Sequence, residues 1–117
     1  MAVVIGILLE GRVLLLHMGP PCSSFSMAVN RFVTYAMRSY EYPLGLPDLL
    51  PYQQEKVDLG NALADCCERL AAAQEAAKGY WQGEQPASSL MLEIPSWQHL
   101  QKDAWHITRD VCMDGAP

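Results

Sequence analysis

Positively charged side chains are few in this sequence of 117 residues. Eight Lys and Arg residues stand against thirteen Asp and Glu residues, which gives a formal net charge of -5 at pH 7. The chain as a whole therefore offers phosphate backbones no general electrostatic attraction. A basic surface for a nucleic acid would have to be local or be contributed from outside this chain.

Uninterrupted apolar stretches of membrane-spanning length are absent too. The most apolar stretch, residues 2–18, has no basic residue before it and is interrupted by Glu10 and Arg12. A transmembrane helix needs about 20 consecutive apolar residues, and a secretory signal peptide starts with a basic segment. We therefore expect this stretch to be buried core, and we expect no association with a membrane.

The four cysteines lack the paired spacing that is typical of zinc sites. Cys66 and Cys67 are adjacent, whereas Cys22 and Cys112 stand apart, and neighbouring side chains on a helix diverge by about 100°. This spacing argues against a structural zinc site or a disulfide framework. It favours a reducing compartment, so we expect an intracellular protein, nuclear or cytoplasmic, that binds no metal.

The composition is that of one globular domain, because 50% of the residues are hydrophobic and 18% are charged. We assign residues 1–117 to that single domain. Residues 12–18 form an apolar run bounded by Gly11 and Gly19, which predicts a strand buried on both faces. Two further strands are predicted over residues 80–82 and 105–113.

Helical patterns and loops separate these strands. Apolar residues recur at helical spacing in residues 25–37, and a long helix is expected from Pro51 to about residue 77, weakened at Gly60 by about 1 kcal/mol relative to Ala. The remaining expectations are a helix end or a short strand over residues 3–10, a loop over 38–51, a helix C-cap at Gly79 and a helix starting at Ser88 or Ser89. This order predicts an α/β domain with a mostly parallel sheet of about three strands and flanking helices.

Two chemically active side chains directly follow predicted strands. Cys22 comes after residues 12–18 and Glu84 comes after residues 80–82, so both are expected at the carboxyl edge of the sheet, where ligands bind. A thiol at the start of a helix is favoured as the nucleophilic thiolate, and the two prolines before Cys22 restrict the backbone that aims it. A partly desolvated carboxylic acid such as Glu84 can donate a proton to a ring nitrogen.

At these residues the sequence resembles the DNA (cytosine-5) methyltransferase family. GPPCSSFS (residues 19–26) resembles the family's Pro-Cys loop, and EQP (residues 84–86) resembles its second catalytic loop, in which Glu-Asn followed by Val or Pro is usual. DVCMDGAP (residues 110–117) resembles the strand and Gly-x-Pro turn that lead into the family's basic motif. The long separation of the two loops resembles a divergent eukaryotic branch.

The resemblance implies a partial Rossmann-like fold of the class I methyltransferase type. It implies that Cys22 attacks carbon 6 of a cytosine flipped out of DNA or transfer RNA, that Glu84 protonates ring nitrogen 3, and that S-adenosylmethionine donates the methyl group. Ser23 stands where the family usually has Gln, and Gln85 where it usually has Asn. The residues expected to contact the substrate are Pro21, Ser23, Ser26, Gln85, Pro86 and Arg38, the last through phosphate.

Two features of that family are missing from the sequence. Nothing before Gly11 resembles the Phe-x-Gly-x-Gly loop that holds the methyl donor, and the sequence stops at Pro117, where an arginine-bearing motif would begin. We therefore expect a partial catalytic domain, inactive alone, that self-associates through an exposed sheet edge. The alternative is a non-enzymatic α/β interaction domain in which Cys22 is structural.

Several of these residues have a plainer interpretation. For Arg38, a solvated position or a salt bridge at the surface is commoner than a contact with phosphate. His17 is expected to pack beside the sheet or to cap its end, and catalytic base is its less favoured role. Cys66, Cys67 and Cys112 are expected in the core.

Overall fold

The computed structural model describes residues 2–20, 24–25, 37–85 and 89–107. These residues form a small α/β structure with three α-helices and a two-stranded parallel sheet. The elements in chain order are α1 (Ala2–Leu9), β1 (Leu15–Met18), α2 (Pro51–Ala76), β2 (Tyr80–Gly83) and α3 (Pro95–Leu100), with 3-10 helices at Leu90–Glu93 and Gln101–Asp103.

The two strands pair in parallel, as predicted. Leu15 lies opposite Tyr80 and Met18 lies opposite Gly83, and helix α2 lies between the two strands in the chain, as in a crossover connection. The predicted burial of β1 on both faces is wrong. Leu15 is more than half exposed, whereas Leu16 and Met18 contact the core. Side chains alternate along a strand, and only the face with Leu16 and Met18 is covered here.

The predicted third strand does not begin at its expected position. Residues 105–107 lie outside any strand or helix, and Trp105 is 96% exposed. The remainder of that prediction, residues 108–113, lies outside the described part of the chain. So does most of the helix predicted over residues 25–37, of which residues 26–36 are not described.

Helix α1 is apolar on all sides, yet it is largely exposed. It packs against α2 and is followed by a turn at Gly11, whose φ of +74° suits a residue without a Cβ. Of its residues only Leu8 is buried, while Val3 and Leu9 are more than half exposed. The expectation of buried core is therefore wrong for most of α1. In the described ranges, none of the helices is both long and apolar enough to cross a bilayer.

The core forms between one face of α2, the sheet and the C-terminal helical turns. Val57, Ala64 and Ala71 recur every seven residues, which is about two turns, and all three are buried. The indole N–H of Trp97 in α3 donates to the Ala64 carbonyl at 3.1 Å. The Trp97 ring meets Trp81 of β2 edge to face, with centroids 6.3 Å apart. This packing fixes the sheet on α2.

The predicted boundaries of α2 are confirmed, but the role expected for Gly79 is not. Lys78 adopts the positive φ of +60° that follows the helix. At Gly79 a Cβ would lie 3.0 Å from the Val13 carbonyl and closer still to the Gln74 side chain. Gln74 needs that space because its Nε2 donates to the carbonyls of Val13 and Tyr80, at 2.7 and 3.1 Å. One buried amide thus ties α2 to the starts of both strands.

The helical turns after β2 begin as the sequence indicates. Ser89 caps the 3-10 helix Leu90–Glu93, since its Oγ accepts from the Met91 N–H at 3.3 Å. Pro95 occupies the first position of α3. A proline fits there because the first turn of a helix has no partner for its N–H.

Candidate functional site

The parallel pairing brings the residues that follow β1 and β2 to one edge of the sheet. The Glu84 N–H donates to the Met18 carbonyl at 2.9 Å. A Cβ placed on Gly19 would lie 3.9 Å from Glu84 Oε2. The carboxyl group therefore lies beside the start of the Gly-Pro-Pro-Cys segment, at the edge where the sequence predicts it.

The two loops at this edge are hydrogen-bonded to each other before and after their central residues. Before them, Gln85 Nε2 donates to the Pro20 carbonyl at 2.7 Å. After them, the Leu90 N–H donates to the Phe25 carbonyl at 3.0 Å. The described ends of residues 20–25 and 85–90 are thus held side by side.

Gln85 is itself fixed by a neighbour. Its Oε1 accepts from Ser89 Oγ at 2.8 Å, while its Nε2 is used on Pro20. Both the oxygen and the nitrogen of the Gln85 amide group therefore form hydrogen bonds within the protein. The resemblance assigns Gln85 to substrate contact; the structure shows it joining the two loops.

The side chain of Glu84 faces solvent. It is 76% exposed, and its Oε2 lies 3.7 Å from Nε2 of His17, which is 52% exposed. The described residues therefore leave this carboxyl group open to solvent. His17 lies on β1 next to Glu84, at the end of the sheet, and it is the nearest described partner of that carboxylate.

Arg38 is buried, and this corrects its expected place at the surface. Its side chain is 2% exposed, and its guanidinium lies 3.5 Å from the centroid of the Phe25 ring. It donates to Ser24 Oγ at 3.0 and 3.3 Å. Further acceptors are Asn61 Oδ1 and the carbonyls of Pro43 and Val57, at 2.7, 2.7 and 3.1 Å. Desolvation by burial lowers the pKa of Arg38 to about 10. A guanidinium in this position does not reach a phosphate at the surface.

Part of the predicted site lies outside the described residues. Pro21, Cys22, Ser23, Ser26 and Pro86 belong to this part. Glu84 and Gln85 are described and lie at the predicted edge. The sequence pattern predicts neither the role of Arg38 nor the reason for Gly60, on which a Cβ would lie 2.7 Å from both Arg38 Nη2 and Ser24 Oγ. A glycine inside a strongly helical segment was the available signal.

The described residues do not fit the methyl donor. The stretch before β1 is helix α1 and a turn at Gly11, not the strand and glycine-rich turn that the resemblance assigns to S-adenosylmethionine. An open groove of about 290 Å³ between α2 and α3 has no residue of the sheet edge in its lining. Nor do the described residues contain a cluster of three side chains suited to a metal ion.

Cys66 and Cys67 lie on α2 and are both partly buried. Burial, together with the neighbouring Cys66, raises the pKa of the Cys67 thiol, so its nucleophilic thiolate is scarce near neutral pH. We expect iodoacetamide at pH 7.5 to alkylate Cys67 several-fold more slowly in the folded chain than in the chain unfolded in guanidinium chloride. Peptide mass spectrometry measures both rates. Equal rates in the two states would contradict the raised pKa.

Comparisons with family models, with curated proteins and with solved structures found no match for this chain.

Proposed function

We propose that this chain is the substrate-binding part of a cytosine-5 methyltransferase-like catalytic domain, with a partial Rossmann-like fold. In this proposal Cys22 is the nucleophile and Glu84 is the proton donor. The observation that carries it is the pair of bonds between the two loops, from Gln85 to Pro20 and from Leu90 to Phe25. The described ends of both loops that the resemblance singles out lie side by side at one sheet edge.

The direction of the strands supports the same proposal. Because β1 and β2 are parallel and in register from Leu15–Tyr80 to Met18–Gly83, their carboxyl ends finish at the same level. Ligands of parallel α/β sheets bind at that level. Cys22 is four residues after Met18 in the sequence, and Glu84 is the residue after Gly83.

The chemistry begins with the addition of a thiolate to a pyrimidine ring. The sulfur of Cys22 forms a bond to carbon 6 of cytosine, and the C5–C6 π pair moves to C4–C5. The C4–N3 π pair moves to N3, which takes a proton from the Glu84 carboxyl group. Carbon 5 becomes an enamine carbon and is thereby activated. The exposed carboxyl group of Glu84 is accessible to a base flipped out of its stack.

The proposal is limited to base capture by Cys22 and Glu84, in a chain that is inactive in methyl transfer when alone. S-adenosylmethionine would supply the methyl group for carbon 5, but the described residues do not fit it. DNA is the first candidate substrate and transfer RNA the second, both by resemblance.

Covalent capture of 5-azacytosine tests this proposal, because its carbon 6 accepts a thiol without methyl transfer. The full chain is incubated with a DNA duplex that carries one mismatched 5-azacytosine, and in parallel with an RNA hairpin that carries the same base. We expect an adduct that survives SDS and that peptide mass spectrometry maps to Cys22. The matched oligonucleotides with cytosine are the controls. No adduct with either probe, or one only at Cys66 or Cys67, would contradict the proposal.

A non-enzymatic interaction domain is the second candidate, and one observation favours it. Large apolar side chains are exposed on α1 and next to β1, among them Val3 at 75% and Leu14 at 76%. Such surfaces are typical of sites that bind other proteins or a second copy. In this case the chain would self-associate in sedimentation experiments and would give no adduct with 5-azacytosine.

A further inference from the structure

The turn that follows the Cys22 segment is fixed by a buried cation. Ser24 and Phe25 are 3% and 1% exposed. Arg38 donates to Ser24 Oγ through two nitrogens, Nε and Nη2, and the Phe25 ring lies 3.5 Å from its guanidinium carbon. Both residues of the turn therefore contact the same side chain.

The same guanidinium is anchored on the other side by α2 and by the loop before it. It donates to the Val57 carbonyl and to Asn61 Oδ1 in α2, and to the Pro43 carbonyl. A planar group with five N–H donors can bind acceptors in several directions at once, which an ammonium group cannot do with the same geometry. Arg38 thus bridges the Ser24–Phe25 turn and helix α2.

We propose that Arg38 is a positioning residue for Cys22. It fixes the Ser24–Phe25 turn on α2, as Gln85 fixes Pro20 at the other end of the segment. The nucleophile is then carried by three residues, 21–23, between two anchored ends. This inference rests on the proposed function, and it assigns to Arg38 a role in the alignment of the sulfur in place of a contact with phosphate.

Two substitutions separate alignment from general stability. Ser24→Ala removes the acceptor of Arg38 on the loop that carries Cys22. Gln101→Ala is the control, because it removes the bond from Gln101 Nε2 to the Leu92 carbonyl at 2.8 Å and leaves the described hydrogen bonds of Arg38 in place. Ser24→Thr keeps the hydroxyl group and is the rescue variant.

The readouts are the rate of adduct formation with the 5-azacytosine duplex and the rate of Cys22 alkylation by iodoacetamide. Adduct formation requires the Cys22 sulfur to be aligned with carbon 6 of the base, whereas alkylation requires only that the sulfur be accessible to iodoacetamide. We expect Ser24→Ala to slow adduct formation by about 10- to 100-fold, with alkylation of Cys22 no slower. Gln101→Ala and Ser24→Thr should retain the wild-type adduct rate.

The outcomes distinguish the two proposals. If the wild-type chain forms the adduct and Ser24→Ala forms it at the rate of Gln101→Ala, the positioning role of Arg38 is wrong and the proposed function stands. If the wild-type chain forms no adduct, both are wrong. Equal losses of both rates in Ser24→Ala would show a structural role alone and would also overturn the inference.

Discussion

Glu84→Gln will slow formation of the Cys22 adduct by about 10²- to 10⁴-fold, the range that a positioned general acid contributes. Gln has nearly the shape of Glu, but its amide cannot release a proton to N3 of the ring. The backbone bond from residue 84 to the Met18 carbonyl does not involve the side chain, so the sheet edge is retained. The measurement is the rate of adduct formation under single-turnover conditions, with the protein in excess over the 5-azacytosine duplex and the adduct separated on a denaturing gel.

Glu55→Gln is the matched control for this variant. Glu55 is an exposed carboxylate on α2, and its substitution changes the net charge by the same amount. The control should keep the wild-type rate, and thermal melting should be alike for both variants. Cys22→Ser should give no adduct at all, because a hydroxyl group is a far weaker nucleophile than a thiolate. Equal rates for Glu84→Gln and Glu55→Gln would remove Glu84 from the mechanism.

The helices and strands could be predicted where the sequence pattern is local. The extent of α2 follows from helical spacing between Pro51 and Gly79, and the two strands follow from short apolar runs bounded by glycines. Their parallel pairing follows from the long crossover between them. The placement of Glu84 beside Gly19 could be predicted for the same reason.

The burial of particular residues could not be predicted in this way. The run from Val13 to Leu16 is apolar at every position, so its pattern does not show which face the protein covers. Arg38 is a charged residue, and such residues are rarely buried without several acceptors. Its acceptors come from positions 24, 43, 57 and 61, and no local pattern connects them. Tertiary contacts therefore determine which of these side chains are buried, and the local sequence pattern does not show those contacts.

Gly60 shows how such contacts reverse an expectation about stability. Helix propensity alone predicts that Gly60→Ala stabilises α2 by about 1 kcal/mol. In the structure the added Cβ would lie 2.7 Å from Arg38 Nη2 and from Ser24 Oγ, and 3.2 Å from the Phe25 ring. The Arg38 head group cannot move aside without loss of its hydrogen bonds. Overpacking a well-packed interior costs about 1–3 kcal/mol, and helix propensity offsets about 1 kcal/mol of this cost. We therefore expect Gly60→Ala to lower the free energy of unfolding by up to about 2 kcal/mol.

Gly6 supplies the matched control within the same chain. It lies in α1, and a Cβ added there would meet nothing within 4 Å. Gly6→Ala should therefore raise the free energy of unfolding by about 0.5–1 kcal/mol, as helix propensity predicts. Urea denaturation followed by circular dichroism measures both variants. If both substitutions change the free energy of unfolding in the same direction, Gly60 does not make room for Arg38. The packing at Gly60 would then no longer support the anchoring of the Ser24–Phe25 turn on α2.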